Sequence, residues 1–370
     1  LAPMSATANE LNLAEVSGYS SSEEVQNISE FYPKELAVTN SRVDGLETRL
    51  NVIEAGSFSE TTTMSGSAGF LLSAADGPNG SAEAAMLEYQ VGFGLDTSFT
   101  GEDNLYIGIE TGNAPGGTNA AGTILDWGVA PSGGSDVLTV ADVNYTFPLY
   151  GWTVAVGDSM DASATWSSAC AVSNTVDALG DCGAGNSTAL GGDVSISAST
   201  PIGDSWSLGL GVSAYEGTGT DGIFTEEGDD YYGVSLSYLK DTYGVTVAYS
   251  ATEVGTIDKT FLGFVGSYTP ESFPITLSGG YEIGTVENDD DTYQYTLGAS
   301  YPIGEGTLSV TGGTNGAFVG DADDKSDEEE IRAYDVSYSY PINDSTTVTP
   351  FVYTIPGAGS EQDKTGFGTT

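Results

Sequence analysis

From Phe58 onward the sequence repeats one pattern, in which a segment of alternating residues reaches a proline and a turn and then starts again. The prolines stand in Tyr145-Thr146-Phe147-Pro148, Thr200-Pro201-Ile202-Gly203, Tyr268-Thr269-Pro270, Tyr301-Pro302-Ile303-Gly304 and Tyr340-Pro341-Ile342-Asn343. Proline fixes φ and cannot donate to a β ladder, so each instance is expected to close one strand and open a tight turn. Two strands and a longer polar loop separate the turns. This rhythm predicts an up-and-down antiparallel sheet long enough to close on itself.

The alternation gives each strand two different faces. One segment sets Tyr232, Val234, Leu236 and Tyr238 against Gly233, Ser235 and Ser237. One face is therefore aliphatic with tyrosine at its ends, and the other is small and polar. Strands of a transmembrane β-barrel have this pattern, with aromatic girdles outside and a polar interior, whereas a soluble β-sandwich turns its large side chains inward. The small, hydroxyl-rich face is accordingly expected to contact water.

Counting the alternating segments predicts sixteen antiparallel strands. They fall near 60–74, 86–97, 103–112, 137–147, 152–158, 191–199, 206–215, 231–239, 243–252, 261–269, 275–287, 292–301, 306–316, 331–340, 346–355 and 365–370. If the proline turns occupy one rim, the longer connections all lie on the other rim. The acidic blocks 226–230, 287–291 and 321–330 belong to those connections. Short turns on one side and long loops on the other are typical of outer-membrane barrels.

Charge narrows the classes of partner. The chain of 370 residues carries a formal charge of -45, with only 8 Lys and Arg and no His. Such a chain lacks the basic surface that nucleic acid needs, and it is not expected to adsorb to anionic membranes. An alternative explanation of the acidity is that it keeps the protein dispersed in a saline or secreted setting. No apolar run approaches the roughly 20 residues of a spanning helix, so membrane insertion would require a closed barrel.

The first part of the chain is predicted to differ from the rest. Residues 1–8 resemble the remnant of a signal peptide cut after Ala6-Thr7-Ala8, which implies export, and 9–33 are interpreted as a periplasmic arm. Residues 34–56 are predicted to form a helix that precedes the barrel domain, 57–370. Its apolar heptad positions are Leu36, Val43, Leu46, Leu50 and Ile53. We interpret it as a short coiled coil, with a trimer favoured over a dimer; the alternative is an amphipathic helix packed on its own domain.

No motif in the chain indicates catalysis or a bound cofactor. Without His, both the commonest general base and the Ser-His and Cys-His nucleophile pairs are missing, and none of the many carboxylates forms a marked pair. One acidic loop offers candidate ligands for loosely bound Ca²⁺ or Mg²⁺, namely Asp321, Asp323, Asp324 and Asp327. That loop lacks EF-hand spacing, and a solvated like-charged loop is the simpler interpretation.

The longest gap between predicted strands, 159–190, holds the two cysteines, Cys170 and Cys182. In an oxidising compartment they are expected to form a disulfide, because no other Cys or His is present to share a metal. A loop stapled in this way could fold into the lumen and narrow it, or it could remain outside. The candidates for the pore mouth or constriction are Asp158, Asp161 and Trp166. A lumen of Ser, Thr, Gly and Gln with acidic vestibules should favour cations.

Several segments resemble cyanobacterial outer-membrane porins, which are related to carbohydrate-selective porins. The similarity lies in Glu35–Val38, Arg42–Arg49, Phe58–Gly66, Leu125–Gly128, Gly133–Ser135 and Tyr145–Pro148. The resemblance implies a homotrimeric diffusion channel for small polar solutes and ions in the outer membrane. That family usually carries an S-layer homology domain that binds peptidoglycan ahead of the helix. Here only a few residues separate Ile28 from Glu35, so the resemblance does not extend to that contact. These barrels also typically end on an aromatic residue, whereas this chain ends at Thr370.

These observations predict a porin that passes small hydrophilic solutes and inorganic ions and favours cations. The rival from another class is a secreted or surface-layer acidic β protein that binds divalent cations and has no pore. Solubility separates the two, because a porin requires detergent.

Overall fold

The computed structural model describes residues 62–76, 85–113, 124–125, 127, 136–215, 225, 229–254, 257–319, 330–357 and 363–370. The predicted signal remnant, arm and coiled-coil helix, with the heptad residues Leu36 to Ile53, lie outside these ranges. The acidic candidates Asp321 to Asp327 lie outside them as well. Residues 61–370 form one compact unit.

The described residues build a single antiparallel sheet that closes, because the first strand pairs with the last. The strands are β1 (Thr62–Asp76), β2 (Met86–Thr97), β3 (Asn104–Gly112), β4 (Thr139–Leu149), β5 (Trp152–Asp158), β6 (Val194–Ile202), β7 (Trp206–Ala214), β8 (Asp230–Leu239), β9 (Tyr243–Val254), β10 (Ile257–Tyr268), β11 (Thr276–Val286), β12 (Thr292–Ile303), β13 (Gly306–Thr314), β14 (Phe318–Val319), β15 (Arg332–Asn343), β16 (Thr346–Val348), β17 (Pro350–Ile355) and β18 (Lys364–Thr369). Segment β14 extends β13 along β12, and β17 continues β16 along β15. The result is a closed barrel of sixteen antiparallel strands, as the sequence predicts.

The two faces of the strands are arranged as the alternation predicts. Leu210 and Val234 point outward and are 44% and 38% exposed, while Ser235, their neighbour on the inner face, is 3% exposed. The outer face carries aromatic contacts towards both rims. One group is Trp206 against Tyr238, with ring centroids 4.8 Å apart, and another is Tyr281 against Tyr293 at 6.4 Å. An apolar outer belt between aromatic rings therefore surrounds the barrel.

The connections divide between two rims. Short turns, including 150–151, 203–205, 240–242 and 304–305, lie on what we call the turn-side rim. The strand ends that the longer connections after β3, β5, β7 and β13 join lie at the opposite, loop-side rim, as predicted. One expectation fails in detail, because Pro148, Pro201, Pro302 and Pro341 lie inside the last residues of their strands and do not end them. Pairing continues one or two residues further, since a missing N–H is tolerated near the end of a ladder.

Strand β10 begins earlier than its apolar pattern suggested, at Ile257, and its connection to β9 is only two residues long. The extension brings Lys259 into a strand, opposite Thr252 and Val286. Lys259, Arg332 and Lys364 are therefore basic residues that lie within strands. Arg332 begins β15 and pairs with Glu330 at 2.5 Å. Desolvation raises the pKa of Glu330, but hydrogen bonds from Arg332, Tyr293 and Tyr295 outweigh it and lower that pKa.

None of the helices in the described part of the chain has the length and apolar character needed to cross a membrane.

Candidate functional site

The connection between β5 and β6, residues 159–193, lies inside the barrel, and we call it the lumenal loop. Its backbone N–H groups donate to side chains on the inner wall, one strand after another. The bonds are Thr165 N to Ser197 Oγ on β6 (3.1 Å), Ala169 N to Thr246 Oγ1 on β9 (2.9 Å), Ala171 N to Ser278 Oγ on β11 (3.0 Å) and Thr175 N to Asp335 Oδ2 on β15 (2.7 Å). The loop therefore follows the wall from β6 to β15. This settles the alternative that the sequence left open, because the loop enters the lumen.

The loop returns along the same wall. A 3₁₀ segment, Asp177–Gly183, packs on β11 to β13, and the α-helical turn that follows it, Gly185–Thr188, packs on β9 and β10. The predicted disulfide is present and joins the outgoing Cys170 to the returning Cys182, with Cα atoms 5.6 Å apart. Both halves meet Ser278 of β11, through Ala171 N and through Cys182 Sγ at 3.1 Å. The disulfide thus ties the outgoing and returning halves together over one wall residue.

A buried carboxylate holds the returning half. Glu282 of β11 is 1% exposed. It accepts hydrogen bonds from Ser187 N (2.7 Å), Ser187 Oγ (2.6 Å), Asn186 Nδ2 (2.8 Å) and Gln294 Nε2 (2.7 Å). Bonds to a charged acceptor are roughly twice as strong as neutral ones, and burial raises the cost of losing any of them. Glu282 is therefore an anchor for the loop.

A second buried carboxylate holds the far end of the outgoing half. Asp335 of β15, also 1% exposed, accepts from Thr175 N at 2.7 Å and from Thr175 Oγ1 at 2.8 Å. Beyond it, Val176 and Leu179 pack in an apolar cluster with Leu125 and with Phe351 and Ile355 of β17. A β-bridge between Leu125 and Val176 shows that Leu125, which follows β3 in the chain, also contacts the loop. The hydrogen bonds to Asp335 and the apolar contacts of Val176 and Leu179 together fix this end of the loop.

Glycines on the wall provide the space that the loop occupies. A Cβ added at Gly209 would lie 2.5 Å from Trp166 Cδ1, and one at Gly233 would lie 2.6 Å from Leu190 Cδ2. At Gly211 an added Cβ would collide with the carbonyl group of Ala162. Real Cβ atoms do not approach so closely, so the side chains of Trp166 and Leu190 would have to move at Gly209 and Gly233, and the loop backbone would have to move at Gly211. The small inner face that was expected to contact water is covered here by the loop.

We predict that Gly211→Ala displaces the start of the loop, because its methyl group meets backbone and not a flexible side-chain end. Cleavage of the loop by added protease, and a higher channel conductance, should report the displacement. Gly92→Ala is the matched control on the same face, since its Cβ would meet only Ser67 Oγ at 3.6 Å. If both variants kept the wild-type protease resistance and conductance, the close contact between loop and wall would be wrong.

The inner wall of β1 to β4 differs, because the lumenal loop leaves part of it accessible. An open cavity there is lined by Ser65, Ser67, Gly92, Gly94, Tyr106, Glu110 and Asp142, among others. The β-ladder register places these residues on the inner face of the sheet. Ser67 pairs with Gly92 and Gly92 with Glu110, and in the adjacent row Gly108 pairs with Asp142. Two carboxylates on neighbouring strands therefore face this space.

The structure separates the three residues that the sequence suggested for the pore mouth. Asp158 ends β5 and pairs with Val143 and Val194, which belong to the outward row. Asp161 is exposed on the loop, although surrounding protein desolvates its carboxyl group and raises its pKa. Trp166 is half-buried against Gly209 and Gly233. Their roles stay predictions.

Sequence reasoning missed the residues that fix the loop, Glu282 and Asp335, and those that line the accessible wall, Glu110 and Asp142. A signal was available, because each carboxylate falls in the small, inward row of a predicted strand. In the described residues no three Asp, Glu or Cys side chains converge in a way that could hold a metal ion.

Comparison with known proteins identifies the fold. No family model matches the chain. An uncharacterized protein of Nostoc sp. is 42% identical over 93 residues, which are 25% of this chain but only 16% of that protein. The chain thus spans far less than two thirds of that relative.

Three solved structures share the barrel. OprB of Pseudomonas putida superposes with a TM-score of 0.58 at 11% identity, over 88% of this chain and 96% of that one. An anion-selective porin from Comamonas acidovorans gives 0.54 at 13% identity, over 83% and 98%. A triple mutant of the Rhodopseudomonas blastica porin gives 0.52 at 14% identity, over 83% and 98%. At these identities the comparisons establish that the chain has the fold of bacterial porins.

Proposed function

We propose that this protein is an outer-membrane porin, a passive diffusion channel for small hydrophilic solutes and inorganic ions. The observation that carries the proposal is the combination of an exposed apolar belt outside the closed barrel with a polar, partly accessible wall inside it. A soluble barrel gains nothing from an apolar outer surface, whereas lipid requires one. The lumenal loop then narrows the passage without blocking the wall of β1 to β4. Under this proposal the protein transports solutes and does not catalyse a reaction.

We further propose that the channel favours cations. Among the described strand residues of the inner row, Asp96, Glu110 and Asp142 lie on β2 to β4. The basic residues of that row, Lys259 and Lys364, lie at the loop-side rim of other strands. Fixed carboxylates raise the local concentration of cations in a water-filled passage. The neighbour from Comamonas acidovorans is described as anion-selective, so fold alone does not set this preference.

The assembly belongs to the proposal as well. We infer that the segment before the barrel holds three copies together. Its apolar heptad positions would form a coiled coil for a homotrimer; they are Leu36, Val43, Leu46, Leu50 and Ile53. Export by a signal peptide would bring the chain to the periplasm. An oligomer in detergent that dissociates only on heating would support this assembly.

Planar bilayers with a salt gradient test the function and the ion preference together. We expect stepwise conductance on insertion, and a reversal potential whose sign shows greater permeability to the cation. An anion-directed reversal potential would contradict the proposed preference. A protein that stays soluble without detergent and never conducts would instead support the rival, an acidic β protein without a pore.

A further inference from the structure

We propose that the disulfide between Cys170 and Cys182 makes the lumenal loop a redox-responsive element, which small uncharged dithiols that enter the channel switch from a quiet to a fluctuating state. This inference rests on the proposed function, because the reagent needs a water-filled path to the loop. It adds a second state of the loop and the chemical class of reagent that produces it.

The two cysteines of the disulfide differ in their exposure to the lumen. Cys182 is 3% exposed and packs against Val265 on the inner face of β10. Cys170 is half-buried, and its neighbour Ala171 is exposed. Thiol–disulfide exchange depends on which sulfur an attacking thiolate can reach. A thiolate in the lumen therefore attacks Cys170 Sγ, and Cys182 is the leaving group.

The wall supplies a hydrogen-bond donor for the leaving sulfur. Ser278 Oγ lies 3.1 Å from Cys182 Sγ and 3.2 Å from Gly266 O, so its one hydrogen can turn to either atom. A thiolate of the dithiol forms a bond to Cys170 Sγ while the Cys170–Cys182 bond breaks, and Cys182 leaves as a thiolate that takes up a proton. The second thiolate of the dithiol then displaces Cys170. Two electrons have passed to the protein, and the reagent leaves as a cyclic disulfide.

The backbone around Cys182 has a conformation that non-glycine residues seldom adopt. The φ angles are 48° at Asp181, 56° at Cys182 and 71° at Gly183, so three left-handed residues follow one another. The left-handed region costs free energy for a residue with a Cβ, and it persists only where surrounding contacts impose it. The disulfide is the covalent one among these contacts. Its reduction therefore allows Asp181 and Cys182 to return to commoner backbone conformations.

The stretch that reduction releases, residues 180–184, is short, because an anchor holds the loop on each side of it. Asp335 holds the loop before this stretch and Glu282 holds it after. The wall prevents movement in one direction, since even a Cβ added at Gly183 would lie 2.5 Å from backbone atoms of β12. The released stretch can move only towards the lumen. Its excursions are expected to interrupt the ion current briefly and repeatedly.

Charge selects the class of reductant. Asp177 and Asp181 are exposed beside the disulfide, and residues 159–193 contain no Lys or Arg. Negative charge on the loop lowers the local concentration of thiol reagents that carry additional carboxylates. A protein dithiol is excluded for a different reason, because it is too large to enter the barrel. Small dithiols without other charged groups remain.

Single-channel records in the presence of dithiothreitol test the switch. We expect dithiothreitol to raise the low-frequency current noise of the wild-type protein several-fold, and removal of the reagent followed by reoxidation to restore the quiet record. The double variant Cys170→Ser, Cys182→Ser should be noisy from the start and should not respond. Reduced thioredoxin, the protein-sized control, should leave the wild-type record quiet.

Alkylation of the freed thiols, followed by mass determination, reports reduction independently of the current. Two alkylated cysteines together with a quiet record would overturn the proposed switch. It would also be overturned if the folded protein stayed unlabelled at a dithiothreitol concentration that reduces the unfolded chain, or if thioredoxin acted as well as dithiothreitol. A protein that inserts but does not conduct before any reagent is added would instead refute the proposed function.

Discussion

Replacing residues 163–189 with a short Gly-Ser linker is expected to raise the single-channel conductance several-fold. The loop follows the inner wall from β6 to β15, which is nine of the sixteen barrel strands, so its removal widens the water-filled section, to which conductance is proportional. The replacement is geometrically simple, because the base of the loop is already closed. Ala162 N donates to Leu190 O at 2.7 Å, and Asp158 pairs with Val194. A linker therefore only has to join two neighbouring segments.

The barrel itself should survive this change, since its closure depends on ladders between strands and not on the loop. Hydroxyl groups and both anchor carboxylates would become hydrated, while Leu71 and Phe351 would lose apolar contacts. The shift in mobility between unheated and heated protein in detergent serves as the control for folding. A folded variant with the wild-type conductance would show that the loop does not limit the passage.

The second large effect is expected from Glu282→Ala, which should release the returning half of the loop. Ser187 N–H and the amides of Asn186 and Gln294 would lose this acceptor, while Ser187 Oγ–H would still have Ala184 O at 3.0 Å. Each buried group left unpaired costs about 1–3 kcal/mol. Because detaching the segment restores those groups to water, the loop is expected to detach rather than remain in place. Single-channel records should then show a noisier current and a higher mean conductance, though lower than without the loop.

Two further variants make that prediction specific. Glu282→Gln keeps the size and one acceptor oxygen but adds an N–H₂ group facing incoming donors, so an intermediate effect is expected. Glu305→Ala removes an exposed carboxylate that accepts a hydrogen bond from Tyr340 Oη at 3.2 Å and has no contact with the lumenal loop among the described residues, so it should leave the current unchanged. Quiet, wild-type records from Glu282→Ala would show that Glu282 is not an anchor.

Much of the barrel could be predicted from the sequence because strand alternation is a local signal. Residues such as Val234 and Ser235 differ in size and polarity at successive positions, and a period of two admits only one assignment of faces. The boundaries were harder. Strand β10 begins at Ile257, several residues before its apolar run at Phe261, and proline near a rim did not stop pairing.

The site could be predicted only in outline, because its contacts join residues distant along the chain. The position of Cys170 and Cys182 in a long gap predicted their disulfide, but nothing local shows which wall the loop contacts. In the alternating pattern Glu282 and Asp335 are inward positions next to the outward Tyr281 and Tyr334, and nothing local distinguishes them from other inward residues. They are buried because the loop covers them. The same dependence explains why the small inner face was assigned to water although much of it contacts protein.

The central claim is that bulky side chains on the outer face contact lipid while the lumenal loop lies within the barrel. The four tryptophans of the chain test it, because Trp206 is 45% exposed on the outer face and Trp166 lies on the loop inside. Two single-tryptophan variants, each with the other three replaced by phenylalanine, would be reconstituted in bilayers of lipid brominated near the headgroup end of the acyl chains. Fluorescence of the Trp206 protein should be strongly quenched and that of the Trp166 protein unaffected. Equal quenching of both, or quenching of Trp166 alone, would contradict the account.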